Sequence, residues 1–165
     1  MDLPRKYRVL FVCLGNICRS PAAEGVFRYL TEEKGLENSI LADSAATSGW
    51  HSGTKADPRM RSAAGKRGYD LTSRARQVVA QDFRDFDIVL AMDRENYRDL
   101  RSMAPDEEGR RRVRYITDFA RTSTMDHVPD PYYGGAESFE FVLDILEDCC
   151  AGLLEYAGKE LLQKR

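Results

Sequence analysis

The chain has 165 residues, of which 42% are hydrophobic and 32% are charged, and its formal net charge is -2. This composition is typical of a globular protein with a sizeable core, and one domain is predicted over residues 1–165. The balanced charge gives no bulk attraction for nucleic acid, which argues against a nucleic-acid partner. No apolar run approaches the ~18 residues that a membrane span needs.

Short apolar runs alternate with helical patterns along the chain. Strands are predicted at residues 7–12, 39–45, 87–92 and 113–117, and helices at 19–35, 58–67, 94–101 and 139–162. Strands that alternate with helices favour an α/β fold with a parallel sheet, whose sites lie at the carboxyl ends of the strands. Loops are expected at 104–109 and 122–135, and a loop as long as the second is often functional.

The N-terminal segment and the cysteines indicate a reducing compartment. The apolar run at residues 9–14 is short for a signal peptide and is better interpreted as the first strand. The four cysteines, at positions 13, 18, 149 and 150, are expected to be thiols in a cytoplasmic protein. They form no C-x-x-C pair, and the histidines are only His51 and His127, so no metal site is predicted.

An arginine cluster and the two C-terminal cysteines are better explained by structure than by function. The arginines at positions 110, 111, 112 and 114 form a short cluster that is typical of a solvated surface, with docking of an acidic partner as the alternative. Cys149 fits the apolar stripe of the last predicted helix, so it and Cys150 are expected to serve packing.

The most informative segment is CLGNICRSP, residues 13–21, between the first predicted strand and the first predicted helix. Backbone N–H groups of such a loop can converge on one anion, and the helix N-terminus adds positive potential. Gly15 and Asn16 tolerate the left-handed backbone that such a nest requires. The same surroundings favour a thiolate on Cys13, to which Ser20 can donate, while Arg19 can hold two phosphate oxygens at once.

A cysteine six residues before an arginine is a weak motif by itself, because chance matches are frequent. The strand before it, the turn-forming residues within it and the Ser-Pro at a helix start make a phosphate-binding loop the favoured interpretation. The alternative is a buried structural cysteine at a strand end, a common location for cysteine.

Residues 12–21 closely resemble the signature loop of the low-molecular-weight protein tyrosine phosphatases. The resemblance continues through DSAATSGW at 43–50, ARQ at 75–77, the block at 87–93 and DPYYG at 130–134, in the order of the family. It therefore covers nearly the whole chain. It implies a three-layer α/β fold of the flavodoxin-like type, with a four-stranded parallel sheet flanked by helices.

The resemblance also implies an activity: hydrolysis of protein phosphotyrosine and small aryl phosphates without a metal or cofactor. Cys13 corresponds to the nucleophile, Arg19 to the phosphate clamp and Asp130 to the general acid. From the residues alone, Asp130 before a proline is better explained as a turn residue. The implied phosphate-binding residues are Leu14, Gly15, Asn16, Ile17, Cys18, Arg19 and Ser20.

Further roles follow from matching positions. Asn16 and Ser44 correspond to residues that shape the loop from beneath. Trp50, Tyr132 and Tyr133 correspond to the walls of the slot for the substrate's ring; by themselves they are also explained as loop-packing or exposed aromatics. Ser73 departs from the family, since many members have histidine there, which affects the expected hydrogen-bond network.

Cys18 lies in the same loop as Cys13, which suggests redox protection. We expect peroxide to join the two cysteines and thiols to reverse the reaction, which would spare Cys13 from irreversible oxidation. The alternative is that Cys18 is an inert cysteine packed beneath the loop.

Three other functions are compatible with parts of this sequence pattern. Arsenate reductases of the same fold relay a disulfide through further cysteines, and this chain has none between Cys18 and Cys149. A phosphoarginine phosphatase tends to have threonine where this chain has Ile17, so phosphotyrosine is favoured. A silent phosphotyrosine-binding module would usually lack the nucleophile or the acid, and both residue types are present here.

The expected partners are phosphotyrosine-containing proteins, as substrates. A cognate tyrosine kinase is a partner that the resemblance allows but that no residue of the chain indicates. A monomer or a weak oligomer is expected.

Overall fold

The computed structural model describes residues 5–163, so both ends of the predicted 1–165 domain lie outside the described residues. The sheet contains β1 (Tyr7–Cys13), β2 (Ile40–Ala46), β3 (Ile88–Ala91) and β4 (Val113–Tyr115) in the order β2-β1-β3-β4. Every neighbouring pair is parallel. The predicted α/β fold with a four-stranded parallel sheet is therefore confirmed.

Helices connect and cover the strands. They are α1 (Arg19–Glu33), α2 (Pro58–Gly65), α3 (Asp82–Asp85), α4 (Arg94–Met103), α5 (Glu107–Arg111) and α6 (Ala136–Gln163). A 3-10 turn at Ile116–Phe119 follows β4, where the sequence predicted that the strand continues to residue 117. Among residues 5–163 no helix is both long and apolar enough to cross a membrane.

The central strand β1 is buried on both faces, which creates three layers. Val9 and Phe11 belong to the core beneath α1 and α6, and the rings of Phe11 and Phe27 meet edge to face at 5.6 Å. Leu10 and Val12 belong to the second core, on the side of α3 and α4. Because successive strand residues point to opposite faces, the apolar run of β1 fills both cores.

Short polar helices were missed by the sequence analysis. The prediction of a loop over 104–109 was wrong at its end, because α5 begins at Glu107. Asp106 caps this helix by accepting a hydrogen bond from Gly109 N at 2.8 Å. A single turn capped by aspartate has no apolar period that would mark it in the sequence.

The arginine-rich segment at 110–114 is neutralised locally. Arg110, Arg112 and Arg114 form ion pairs with carboxylates at positions 107, 108 and 118, at 2.9, 2.9 and 3.5 Å. Arg112 is half-buried and also donates to the carbonyls of Phe83, Arg84 and Phe86. The expectation of a purely solvated segment is thus wrong for Arg112, which ties the end of α5 to α3 and to Phe86, the residue that follows α3.

Candidate active site

The loop between β1 and α1 wraps around the sulfur of Cys13. β1 ends at Cys13 and α1 begins at Arg19, so the intervening residues form a loop at the carboxyl edge of the sheet. The backbone N–H groups of Asn16 and Ser20 point at Cys13 Sγ, at 3.3 and 3.4 Å. N–H groups aimed at a sulfur stabilise a negative charge on it, which favours the nucleophilic thiolate.

The two turn-forming residues of the loop have different roles. Asn16 adopts a left-handed backbone with φ 55°, as expected for this residue type. Gly15 does not, since it is absent from the residues with positive φ. A Cβ on Gly15 would lie 3.0 Å from His51 Cδ2, so glycine allows His51 to approach the loop closely.

Buried hydrogen bonds support the loop from beneath. The Asn16 carboxamide donates from Nδ2 to Ser20 Oγ at 2.8 Å, and its Oδ1 accepts from Arg76 N at 3.1 Å. Ser20 Oγ in turn lies 3.0 Å from Cys13 Sγ. The structure therefore connects Asn16 to the sulfur through Ser20, without placing either side chain in the wall of the cavity.

Ser44 is one step further from the sulfur. Its hydroxyl donates to Glu24 Oε1 at 2.6 Å, and Ser73 also hydrogen-bonds to this carboxylate. Burial raises the pKa of Glu24, although the bond from Ser44 and the charge of Arg28, at 2.8 Å, act in the opposite direction. Ser73, where the family resemblance leads to the expectation of a histidine, thus supplies a hydroxyl to a buried carboxyl group.

Arg19 is almost fully buried and is fixed from two sides. Its Nη1 donates to Asp93 Oδ2 at 2.7 Å and to the Val128 carbonyl at 3.0 Å. Its Nη2 lies 3.8 Å from Asp130 Oδ2. Burial opposes its charge, but Cys13 and Asp93 hold the pKa of Arg19 above its ordinary value. The guanidinium therefore stays charged beside the sulfur.

Asp130 lies in the loop before α6. Its Oδ1 accepts from Tyr132 N at 3.1 Å, which is the turn geometry that an aspartate before proline favours. Its side chain is 45% exposed, which leaves the carboxyl group open to the cavity. The turn interpretation and the acid interpretation of Asp130 are therefore compatible.

The rim of the site is aromatic. Thr47 N donates to the Cys13 carbonyl and Ser48 N to the Leu14 carbonyl, both at 3.0 Å, which brings the segment carrying Trp50 to the loop. Trp50 is 84% exposed and Tyr133 is 95% exposed. Exposed aromatic rings at a rim suit stacking against a planar ring.

The loop between β1 and α1, Asp130 and the aromatic rim enclose one cavity of about 300 Å³. It is lined by Cys13, Leu14, Gly15, Ile17, Cys18, Arg19, Ser48, Trp50, His51, Asp130, Tyr132 and Tyr133. Of the residues singled out from the sequence, Asn16, Ser20 and Ser44 lie behind this wall.

Cys18 lies in this wall but is nearly inaccessible, with 4% of its surface exposed. Burial, with the nearby charge of Asp57, raises the pKa of the Cys18 thiol well above its ordinary value. Cys18 is therefore a protonated thiol at neutral pH, and all four cysteines are free.

The sequence analysis missed Asp93, Ser48, His51 and Glu24 as parts of the site. Asp93 directly follows the apolar run of β3 and precedes α4, a position at the carboxyl edge of the sheet that is a usable signal. His51 directly follows Trp50, but no local pattern indicates that it packs against Gly15.

The fold and this loop at the carboxyl edge of its sheet define the class of the small phosphotyrosine phosphatases, and comparisons with known proteins agree. A family profile for low molecular weight phosphotyrosine protein phosphatases matches residues 8–165. A putative low molecular weight protein-tyrosine-phosphatase of Synechocystis is 47% identical over 155 residues, which cover 94% of this chain and 99% of the relative. The human low molecular weight phosphotyrosine protein phosphatase is 39% identical over 150 residues, which cover 90% of this chain and 94% of the human protein.

Solved structures give the same result. A protein tyrosine phosphatase from Entamoeba histolytica superposes with a TM-score of 0.91 at 43% identity, covering 94% of this chain and 99% of that one. YfkJ from Bacillus subtilis superposes with a TM-score of 0.87 at 43% identity, covering 94% and 96%. The chain therefore belongs to the low molecular weight phosphotyrosine protein phosphatase family, which confirms the resemblance and the enzyme class that it implies.

Proposed function

We propose that this chain hydrolyses protein phosphotyrosine and small aryl phosphates through a phosphocysteine intermediate. Cys13 is the nucleophile, Arg19 holds the phosphate and Asp130 is the general acid and base. The observation that carries the proposal is that one cavity contains all three side chains, although Asp130 is distant from the other two in sequence.

The first step is attack by Cys13 on phosphorus. The sulfur receives two backbone N–H groups and faces the Ser20 hydroxyl, which together favour a thiolate. Bond formation from sulfur to phosphorus accompanies cleavage of the bond from phosphorus to the phenolic oxygen. One difficult displacement is thereby divided into two easier ones.

Arg19 and the loop stabilise the charge of the transferring phosphoryl group. Asp93 and Val128 hold Nη1 of Arg19, which leaves Nη2 and Nε to bind two oxygens of the phosphate. Preorganised donors of this kind act where charge is spread over the equatorial oxygens in the transition state.

Asp130 transfers a proton to the leaving group. When protonated, it donates its proton to the phenolate oxygen as that oxygen departs. The resulting carboxylate then accepts a proton from the water that attacks phosphorus, while the bond from sulfur to phosphorus breaks and releases inorganic phosphate and the Cys13 thiolate. The distance of 3.8 Å between Asp130 Oδ2 and Arg19 Nη2 supports this role, because it brings the carboxyl group close to the phosphate that Arg19 would hold.

The shape of the cavity supports an aryl substrate. Trp50, Tyr132 and Tyr133 provide aromatic surface at the rim, and Ile17 is apolar. A phenyl ring gains stacking and apolar contacts in such a slot, whereas the charged guanidino group of phosphoarginine would lose hydration against Ile17 without a polar partner there.

The test is hydrolysis of p-nitrophenyl phosphate and of a phosphotyrosine peptide in EDTA by wild type, Cys13→Ser and Asp130→Asn. We expect an active wild type, no turnover by Cys13→Ser and a strong loss in kcat for Asp130→Asn. General acid catalysis commonly contributes about 10²–10⁴-fold, which sets the expected loss. Turnover by Cys13→Ser, or an inactive wild type, would reject the proposal and direct assays to phosphoarginine, arsenate and binding alone.

We also propose that Cys18 protects Cys13 from peroxide. Peroxide oxidises the Cys13 thiolate to a sulfenic acid, and attack by the Cys18 sulfur on the Cys13 sulfur then forms a disulfide and releases water. The buried, protonated state of Cys18 supports this order, because the thiolate reacts first. Mass spectra of peroxide-treated protein should show a Cys13–Cys18 peptide that thiols remove. Loss of thiols without that peptide contradicts the proposal.

The cellular setting is proposed on the same basis. Four free cysteines fit a reducing cytoplasm, where phosphotyrosine proteins and a cognate tyrosine kinase would be partners. A single domain that works as a monomer or weak oligomer suffices, because the described chain supplies every side chain that the mechanism uses.

A further inference from the structure

We propose that Arg76 is a positioning residue that fixes the direction of the hydrogen bonds leading to the nucleophile. Arg76 does not line the cavity, so it does not touch the substrate. It acts through Asn16 and Ser20 on Cys13, and the inference rests on the proposed role of Cys13 as nucleophile.

The backbone N–H of Arg76 determines which way the Asn16 carboxamide faces. A backbone N–H can only donate, so the group that meets it at 3.1 Å must be the Asn16 oxygen, Oδ1. The carboxamide nitrogen is thereby turned towards Ser20 Oγ, 2.8 Å away. An amide nitrogen can only donate, so Ser20 Oγ must accept there.

The orientation of Ser20 follows from this chain of donors. With one lone pair occupied by Asn16, the hydroxyl hydrogen of Ser20 can point at Cys13 Sγ, 3.0 Å away, or at the Ala45 carbonyl, 3.4 Å away. The sulfur is the nearer acceptor, and a thiolate is the stronger one because it carries charge. The hydrogen bond from Arg76 N thus makes Ser20 Oγ an acceptor towards Asn16, which leaves the Ser20 hydroxyl hydrogen free to donate to the thiolate.

The guanidinium of Arg76 holds this N–H in place. It donates to Asp82 at 3.0 and 3.1 Å and to Asp43 at 3.0 and 3.3 Å, so it joins the start of α3 to β2. Burial opposes the charge of Arg76, but Asp82 and Asp43 keep its pKa above the ordinary value. Arg76 O accepts from Ala46 N at 2.8 Å, which aligns the same peptide segment with the end of β2.

Two carboxylates on different elements give arginine an advantage over lysine here. A planar guanidinium can satisfy both in a fixed geometry, whereas an ammonium group is a single point charge. We therefore expect Arg76→Lys to retain charge and folding but to lose the alignment of the backbone. Asp43→Asn provides a milder variant, because the Asp43 side chain is 41% exposed and its loss leaves the Asp82 contacts intact.

The experiment measures the alkylation rate of Cys13 by iodoacetamide as a function of pH, with mass spectra to identify the modified cysteine, alongside kcat and KM for p-nitrophenyl phosphate. We expect Arg76→Lys and Asp43→Asn to slow alkylation at pH 6 about three- to tenfold, the effect of weakening roughly one hydrogen bond to the sulfur. The pH midpoint should move upwards and kcat should fall more than KM rises.

Arg67→Ala is the matched control. Arg67 is also a partly buried arginine that joins two elements, the turn after α2 and, through Asp144 and Glu147, helix α6, but it lies outside the active-site network. Its loss should lower thermal stability and leave the pH profile of Cys13 alkylation unchanged. An equal shift in Arg67→Ala and Arg76→Lys would mean that the effect is general destabilisation, and would overturn the inference.

A double-mutant cycle with Asn16→Ala tests the route. If Arg76 acts through Asn16, Arg76→Lys should have little further effect on alkylation once the carboxamide is gone. Additive losses would overturn the proposed route, as would an unchanged profile in both Arg76→Lys and Asp43→Asn. A wild type that alkylates normally but hydrolyses no phosphate would reject the proposed function instead, so the two failures are distinguishable.

Discussion

Asp93 gives the sharpest test of how Arg19 is held, because it combines two roles that can be separated. Its Oδ2 accepts from Arg19 Nη1 at 2.7 Å, and its Oδ1 accepts from Asn96 N at 2.8 Å as the cap of α4. Asp93→Ser should retain the cap, since serine is a good cap residue, and remove the partner of Arg19.

The size of the effect can be worked from the contacts. A hydrogen bond to a charged group is worth about 1.5–3 kcal/mol, and the 26% exposure of the Asp93 side chain favours the lower half of that range. The bond from Arg19 to the Val128 carbonyl, at 3.0 Å, remains. We expect kcat/KM of Asp93→Ser to fall by about 10- to 30-fold, the equivalent of roughly 1.5–2 kcal/mol.

The assay is steady-state hydrolysis of p-nitrophenyl phosphate together with thermal unfolding. Asp93→Asn keeps a neutral acceptor for Arg19 and should lose less activity than Asp93→Ser. Asp106→Ala removes a comparable cap, that of α5, at a site far from Arg19 in the sequence. It should cost about 1 kcal/mol of stability and leave kcat/KM unchanged.

Two outcomes would refute this reasoning. Full activity in Asp93→Ser would show that Val128 alone orients Arg19. A loss in Asp106→Ala as large as that in Asp93→Ser would show that the activity follows stability rather than the orientation of the guanidinium.

Two predictions concern stability. Gly152→Ala should lower the free energy of unfolding by about 2 kcal/mol or more, because its Cβ would lie 1.9 Å from the Phe119 carbonyl oxygen, and urea unfolding measures this. Gly158 lies in the same helix, and a Cβ added there would have no neighbouring atom within 4 Å. Gly158→Ala should therefore leave the free energy of unfolding unchanged or raise it by up to about 1 kcal/mol. Equal losses in the two variants would contradict the steric explanation. Asp148 accepts from three backbone N–H groups, including that of Ser123, and these outweigh burial and lower the pKa of its carboxyl group. A lowered folded-state pKa stabilises the fold above the ordinary value of 3.8, and this stabilisation is lost as the pH falls through the lowered pKa. Asp148→Asn should therefore be less stable than wild type near pH 7 and should approach the wild-type stability in acid. A stability difference that is independent of pH would contradict this.

The loop between β1 and α1 could be singled out from the sequence because it is local. Cys13, Gly15, Asn16, Arg19 and Ser20 follow one another within one short segment, between an apolar strand and a helix with proline in its first turn. The alternation of apolar runs and helical patterns likewise determined the parallel sheet. Local spacing and burial pattern are sufficient for both, because neither depends on which distant segment is nearby.

The reason for Gly15 illustrates the limit of that local reasoning. The sequence suggests a left-handed turn, whereas the structure shows a close approach by His51. The short helices α3 and α5 were missed because a single polar turn has no apolar period, and the contact that joins them, from Arg112 to the Phe83 carbonyl, depends on the tertiary structure.

What only the tertiary structure decided is the set of partners around the loop. Asp93 and Val128 reach Arg19, and Arg76 reaches Asn16, across 74, 109 and 60 residues of sequence. A hydrogen bond between groups so far apart in sequence exists only once the sheet has brought the carboxyl ends of its strands to one edge. The sequence alone therefore determined the reactive loop, and the packing of the sheet decided which carboxylate, carbonyl and backbone N–H groups orient its residues.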